Sequence, residues 1–364
     1  MNKPRIIDAD GHIFEDMEGI AKHLPSEYRW GVPPLTGSLF PPLDNLHVLQ
    51  GKVPPYAFGG GKKIGPKEWE DFLDDVGIDT TYLYPSQALS FGNIVNGDWA
   101  ISVARGYNNW LAESYLSQSP RLKGIGLIPW QEPEAAIEEL NRLVKELGMV
   151  GAMIPSNGLA LPAGAKEFWP VYAEAERLGC ALAVHGGNHG NLGFNYLNVF
   201  APAHAMGHSA GIMNCFASIL YNGIYDKFPG IRIGFLEAGV AWILHLMERF
   251  DGSTAAFQPY DLRGQLFQRR SGEKVSDYII RQAKAGRIFI GCEGEEPILP
   301  YAVKVIGNEP WVYSSDFPHE VNNETCKHDI EEILEFDELS EADKDAILGR
   351  NAERFYAAGV PAAR

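Results

Sequence analysis

Basic residues are scarce in this chain: 31 Lys+Arg stand against 47 Asp+Glu, a net charge of −16. A field of that sign repels nucleic-acid phosphates and anionic lipid headgroups, which argues against both as partners. Apolar runs are short. None reaches the roughly 18 residues of a membrane-crossing helix, and charges interrupt residues 1–8 where a secretory leader needs an apolar core. Cysteine is limited to Cys180, Cys215, Cys292 and Cys326, far apart and without a C-x-x-C. That spacing excludes a disulfide framework and a thiolate metal cluster, and a reducing, cytoplasmic setting is expected. A phosphate loop is missing as well, because Gly59-Gly60-Gly61-Lys62-Lys63 lacks G-K-[ST] and a preceding strand. There is no internal repeat and no low-complexity tract.

What the chain does contain is a regular alternation. Short, mostly apolar runs fall at residues 5–12, 79–86, 122–130, 149–156, 180–186, 231–239, 287–294 and 311–319. Their apolar density with little polar alternation suits parallel strands covered on both faces. Helical patterns separate them. Residues 133–147 begin with Pro133, place acids early and bases late, and stop at Gly148; residues 168–178 stop at Gly179 in the same way. Residues 213–226, 240–250, 298–306 and 327–336 fill four further gaps. Eight such units predict a single-domain (β/α)8 TIM barrel over residues 1–364, closed by C-terminal helices. Three stretches exceed ordinary loop length: 15–66 after the first strand, 188–207 after the fifth, and 251–286. Insertions of that size are usually lids or binding loops.

In a barrel of this kind the chemistry sits at the C-terminal ends of the strands. Those ends carry Asp8, Asp10 and His12 (first), His185 (fifth), Glu237 (sixth), Glu293 (seventh), and Asp316 and His319 (eighth). Residues i and i+2 of a strand share a face, so Asp8, Asp10 and His12 are expected together on the interior. Asp10, His12, His185, Glu237 and Asp316 then converge from four strands. Imidazoles with carboxylates suit a divalent ion: zinc first, manganese or iron next. Asp8 and Glu237 leave room for a second ion. Each residue alone has a blander role, as a loop cap or a satisfied core histidine; the case rests on the set.

The order and spacing of Ile7-Asp8-Ala9-Asp10-Gly11-His12, Val184-His185-Gly186, Gly223-Ile224-Tyr225-Asp226-Lys227-Phe228-Pro229, Phe235-Leu236-Glu237-Ala238-Gly239, Ser315-Asp316-Phe317-Pro318-His319 and Asn351-Ala352 resemble the amidohydrolase-related family. That family includes aminocarboxymuconate semialdehyde decarboxylase and gamma-resorcylate decarboxylase. The resemblance spans nearly the whole chain and implies a metal-dependent barrel, acting as a dimer. It places the metal ligands on Asp10, His12, His185 and Asp316. Two positions depart from the family's decarboxylases. Asp10 stands where they have His or Glu, and Glu237 stands where they have a catalytic His.

That second departure leads to the expectation of a hydrolase. A metal-activated water would attack a small amide, ester or thioester, with Asp316 accepting its proton and Glu237 or His208 protonating the leaving group. The alternative is a metal-dependent non-oxidative decarboxylase of an aromatic or unsaturated acid. His204 and His208, four apart, and His189, Asn191 and Asn195 in the second insertion are candidates to line the substrate pocket, with Trp130, Glu293 and His319. Two other classes compete. Gly207-His208-Ser209-Ala210-Gly211 matches the G-x-S-x-G nucleophile elbow, but residues 198–206 read poorly as the strand it requires. A catalytically silent binding barrel would instead pair its strand-end acids with Lys or Arg.

Overall fold

The structure is a computed structural model describing residues 5–29, 38–43, 64–194 and 197–357. The Gly59–Lys63 run and Asn195 lie outside the described residues. Eight parallel strands form one sheet in sequence order: β1 (Ile7–Ile13), β2 (Thr80–Pro85), β3 (Leu122–Gly126), β4 (Gly151–Pro155), β5 (Ala181–His185), β6 (Ile233–Leu236), β7 (Ile288–Cys292) and β8 (Trp311–Tyr313). Nearly every strand residue is buried, as parallel strands between a filled interior and a helix layer require. The (β/α)8 barrel read from the sequence is therefore the fold.

The helices behave as their sequences dictate. In α1 (Pro66–Val76), Trp69, Phe72, Leu73 and Val76 form one buried stripe at helical spacing. α2 (Gly97–Leu111) is capped by Asn96, whose side chain accepts from Trp99 N–H. α3 (Pro133–Lys145) and α4 (Trp169–Leu178) match the start and stop signals, and Gly179 closes α4 at φ 62°. The largest difference is α5, Phe200–Tyr221. Its N-terminal half was expected to be loop. Pro202 falls in its first turn, where a missing N–H costs nothing. The ring of helices continues with α6 (Ala241–Phe257), α7 (Val275–Lys284), α8 (Leu299–Ile306) and α9 (Asn323–Glu335). Among the described residues, no helix is long and apolar enough to cross a membrane.

The barrel closes where the first and last strands meet. Asp316 N–H donates to Asp10 O (3.0 Å) and His12 N–H to Phe317 O (2.7 Å). Between Asp8 and Gly11 the β1–β2 register slips by one residue, so Asp8 pairs with Thr81 but Gly11 with Leu83. This bulge breaks the expected common face. Asp8 turns toward the side of Gly11 and the Trp69 ring, while Asp10 and His12 turn inward. Gly11 is needed there, since a Cβ would lie 2.5 Å from both Thr81 Oγ1 and Trp69. At the opposite end of the barrel, buried Arg232 donates to the carbonyls of Gly179, Phe355 and Ala357. The Tyr356 hydroxyl reaches the Ala9 carbonyl (2.7 Å) and pairs with Tyr84 Oη.

Candidate metal centre at the barrel mouth

His12, the last but one residue of β1, is fully buried. Its Nδ1 lies 2.8 Å from Pro85 O, a contact only an N–H can make, so Nε2 carries the lone pair. That Nε2 is buried without a hydrogen-bond partner. It faces Asp10 Oδ1 at 3.5 Å and Asp316 Oδ1 at 3.4 Å. Burial, with the charges of His319 and His185 beside it, holds His12 well below the usual histidine range, which keeps it neutral. A neutral imidazole lone pair aimed at two carboxylates is the arrangement a divalent cation completes.

His185 ends β5 and approaches from across the barrel. Its Nε2 is 2.9 Å from Asp10 Oδ1. Asp10, His12 and His185 each offer a ligand atom, all within 4.8 Å of one another, and Asp316 joins through His12. Burial pushes the Asp10 carboxyl up to about 6 against the pull of His185. A cation would relieve that penalty. The four residues expected to be ligands are thus brought together by β1, β5 and the loop after β8, and their chemistry fits a divalent ion.

Glu237 was expected among the ligands; the structure places it beside His185, outside the close group of Asp10, His12 and His185. It lies on the far side of His185, with Oε2 3.3 Å from His185 Nδ1 and Oε1 3.3 Å from His208 Nε2. Burial alone would push its carboxyl up; His208 and His185 outweigh that and hold it well below the usual range. Glu237 therefore bridges two imidazoles. Its backbone sits at φ 62°, and that of Asp316 at φ 52°, a left-handed conformation uncommon for residues other than glycine. Asp8 lies outside that group too. Thr81 Oγ1 (2.6 Å), Ser315 N–H and Oγ (2.9 Å each) and Asp10 N–H (3.2 Å) all donate to it. With its oxygens so occupied, Asp8 serves the fold.

The remaining candidates separate. His208, one turn after His204 in α5, is buried; its Nδ1 donates to His204 O (2.8 Å), leaving Nε2 for Glu237. Burial opposes its charge, but Glu237 prevails and raises its pKa. His189 is buried against His208, Nε2 to Nδ1 at 3.2 Å. His204 packs beside both rings. Glu293 stands exposed at the rim after β7. Trp130 has no place in the pocket: it is buried against Phe168 and Tyr172, and its Nε1 donates to Met153 O. His319 contacts Asp316 and Ser86 (2.7 and 2.8 Å). Ser86 went unnoticed in the sequence, although it follows β2 in the same strand-end layer as the others.

The serine-nucleophile motif falls on geometry. Residues 207–211 lie inside α5, not on a strand-to-helix turn, and Ser209 Oγ donates to Ala238 O. Of the residues that could complete a Ser–acid–His order with Ser209, His245 is exposed on α6, and Asp226 accepts from Tyr278 and Gln268.

Comparison with known proteins places this geometry. A family described as amidohydrolase matches residues 7–358. The chain is 24% identical to 2-amino-3-carboxymuconate-6-semialdehyde decarboxylase of Dictyostelium discoideum, covering 78% of this chain and 73% of that protein. It is 24% identical to gamma-resorcylate decarboxylase of Polaromonas sp., over 78% and 85% of the two chains. A dihydroxybenzoic acid decarboxylase from Polaromonas sp., solved with bound manganese and the inhibitor 2-nitroresorcinol, superposes with a TM-score of 0.66 at 20% identity. That superposition covers 98% of this chain and 97% of the other. These matches overturn the expectation of a hydrolase, because the relatives that share most of their length with this chain are decarboxylases.

Proposed function

The chain belongs to the amidohydrolase family, and from that premise we propose that it is a divalent-metal-dependent carboxy-lyase, removing CO2 without oxidation from a small aromatic or unsaturated acid. The observation that carries the reading is the buried, unpartnered His12 Nε2 facing Asp10 and Asp316, with His185 opposite. Decarboxylase relatives support the reaction type. When bound, the ion would supply Lewis-acid attraction for the substrate's carboxylate and a neighbouring oxygen. Asp10, His12, His185 and Asp316 would hold it. Two imidazoles and two carboxylates suit manganese as well as zinc.

The chain's own residues account for the proton. Losing CO2 breaks a carbon–carbon bond and leaves the electron pair on the remaining carbon, which must take up one proton. Glu237 raises the His208 pKa and so favours the imidazolium, and Glu237 stands as the carboxylate between His208 and His185. Glu237 stands where the resemblance places a catalytic histidine, so the proposed proton path runs from His208 by way of Glu237. Glu237 Oε2 also stands 3.3 Å from His185 Nδ1, on the side of the ring opposite the Nε2 that meets Asp10.

The test is CO2 release. Protein stripped of metal and reloaded with Mn2+ or Zn2+ is incubated with hydroxybenzoates and unsaturated carboxylic acids, and headspace CO2 is measured against product. Stoichiometric CO2 is expected, with a fall of at least about 100-fold after chelation and in Glu237→Gln. Products that all keep their carboxylate would exclude the reading. Comparison of CO2 release after reloading with each ion decides between manganese and zinc.

A further inference from the structure

The mouth also holds a Ser–His–Asp chain that no step above uses. His319 Nδ1 meets Asp316 Oδ1 at 2.7 Å, His319 Nε2 meets Ser86 Oγ at 2.8 Å, and Ser86 Oγ donates to Ile13 O at 2.8 Å. A nucleophilic triad is one reading of such a chain, and a metal ligand at His319 is another, since His12, Asp316 and His319 group closely. Counting protons removes both. The only hydroxyl proton of Ser86 is given to Ile13 O, so Ser86 Oγ accepts from His319 Nε2–H. No imidazole lone pair then remains to activate the hydroxyl. His319 Nδ1 is taken up by the Asp316 carboxylate at 2.7 Å, so both ring nitrogens already have partners.

What remains is a strut. We propose that His319 and Ser86 are positioning residues that lock the Asp316 carboxylate in the orientation in which it joins Asp10, His12 and His185. The inference rests on the metal site of the reading above and extends it to two residues outside the donor set. Three observations carry it. Asp316 sits at φ 52°, a conformation that persists only where its surroundings enforce it. The strut runs from Ile13 at the end of β1, through Ser86 after β2, to the loop after β8, so it spans the closure of the barrel. The His319 ring also lies against the ring of His12, with centroids 4.0 Å apart, and so restrains a second member of the donor set.

The experiment titrates metal-free full-length protein with Mn2+ and reads the free ion by its electron paramagnetic resonance signal, with circular dichroism confirming the fold. His319→Ala is expected to weaken Mn2+ binding about 10–100-fold, as loss of a partner behind a metal ligand does. Ser86→Ala, which removes one oxygen, is expected to weaken it about 2–10-fold in the same direction. Ser86→Thr, which keeps the hydroxyl, should restore most of that loss. Should His319→Ala fail to fold, Ser86→Ala against Ser86→Thr carries the test alone. Unchanged affinity in the folded variants would overturn the proposal. So would complete loss of binding in His319→Ala with Ser86→Ala at the wild-type value, the pattern of a direct ligand. Wild-type protein that takes up no Mn2+ would overturn it as well. An absence of CO2 release from every acid tested would instead refute the carboxy-lyase reading and leave these affinities standing.

Discussion

Asp8 and Asp10 are two residues apart on one strand and end on different sides of it. Alternation predicts a shared face, and a single-residue bulge between Asp8 and Gly11 cancels the prediction. Nothing local in the run Asp8-Ala9-Asp10-Gly11-His12 announces that slip, although Gly11 is the residue that makes room for it. The consequence is testable. Asp8→Ala leaves the Thr81 and Ser315 donors without an acceptor in a buried place, a loss of about 2–4 kcal/mol of stability. Urea denaturation should show that loss while bound metal per chain stays unchanged; a fall in metal content would make Asp8 a ligand after all. The four residues of the proposed donor set were legible because each is a His or Asp at a strand end. The bridging role of Glu237 was not, because it depends on His208 arriving from a helix that the sequence reads as loop.

Elements with clear end signals matched their expected extent, as α3 and α4 show. Helix α5 did not, because Pro202, Gly207 and a run of small residues hide its first turns. Those turns place His204 and His208 on one face, four residues apart, beside the mouth. Helix α9 has its own pH signature. Burial, then the charges of Glu295 and Glu332, push the Asp329 carboxyl from 3.8 up to about 6. A raised carboxyl pKa means that the folded state holds the proton more tightly than the unfolded chain. Its stabilising contribution is complete below about pH 3.8 and is lost as pH rises through about 6. Asp329→Asn removes the charge, so the variant should exceed the wild type at pH 7.5, with solvent screening holding the gain to about 1 kcal/mol. The gain should shrink at pH 5. Thermal melts at the two pH values check it, and an equal difference at both would refute the assignment.

At the scale of the whole molecule the donor set straddles the closure of the barrel. β8 and β1 are joined near the mouth by the hydrogen bonds of Asp316 and His12, by Ser315 on Asp8, and by the His319 strut. An ion held by Asp10, His12, His185 and Asp316 would tie the same two edges together and add its binding energy to the fold. At an ion concentration 100 times Kd that amounts to about 2.7 kcal/mol. Calorimetry should therefore show a higher Tm with Mn2+ than after chelation, and His185→Ala should abolish the difference. A Tm indifferent to metal would mean that no ion is held at the closure.

The same geometry fixes when in its life the protein can acquire metal. Asp10 and His12 leave the ribosome well before Asp316. At about 5–20 residues per second, the roughly 300 residues between them take about 15–60 s to make. Throughout that time the donor set is incomplete. An ion held by these four residues would be chosen only once Asp316 has emerged, by the metal pool surrounding the closed barrel, and expression hosts with different metal supply would yield the same chain carrying different ions.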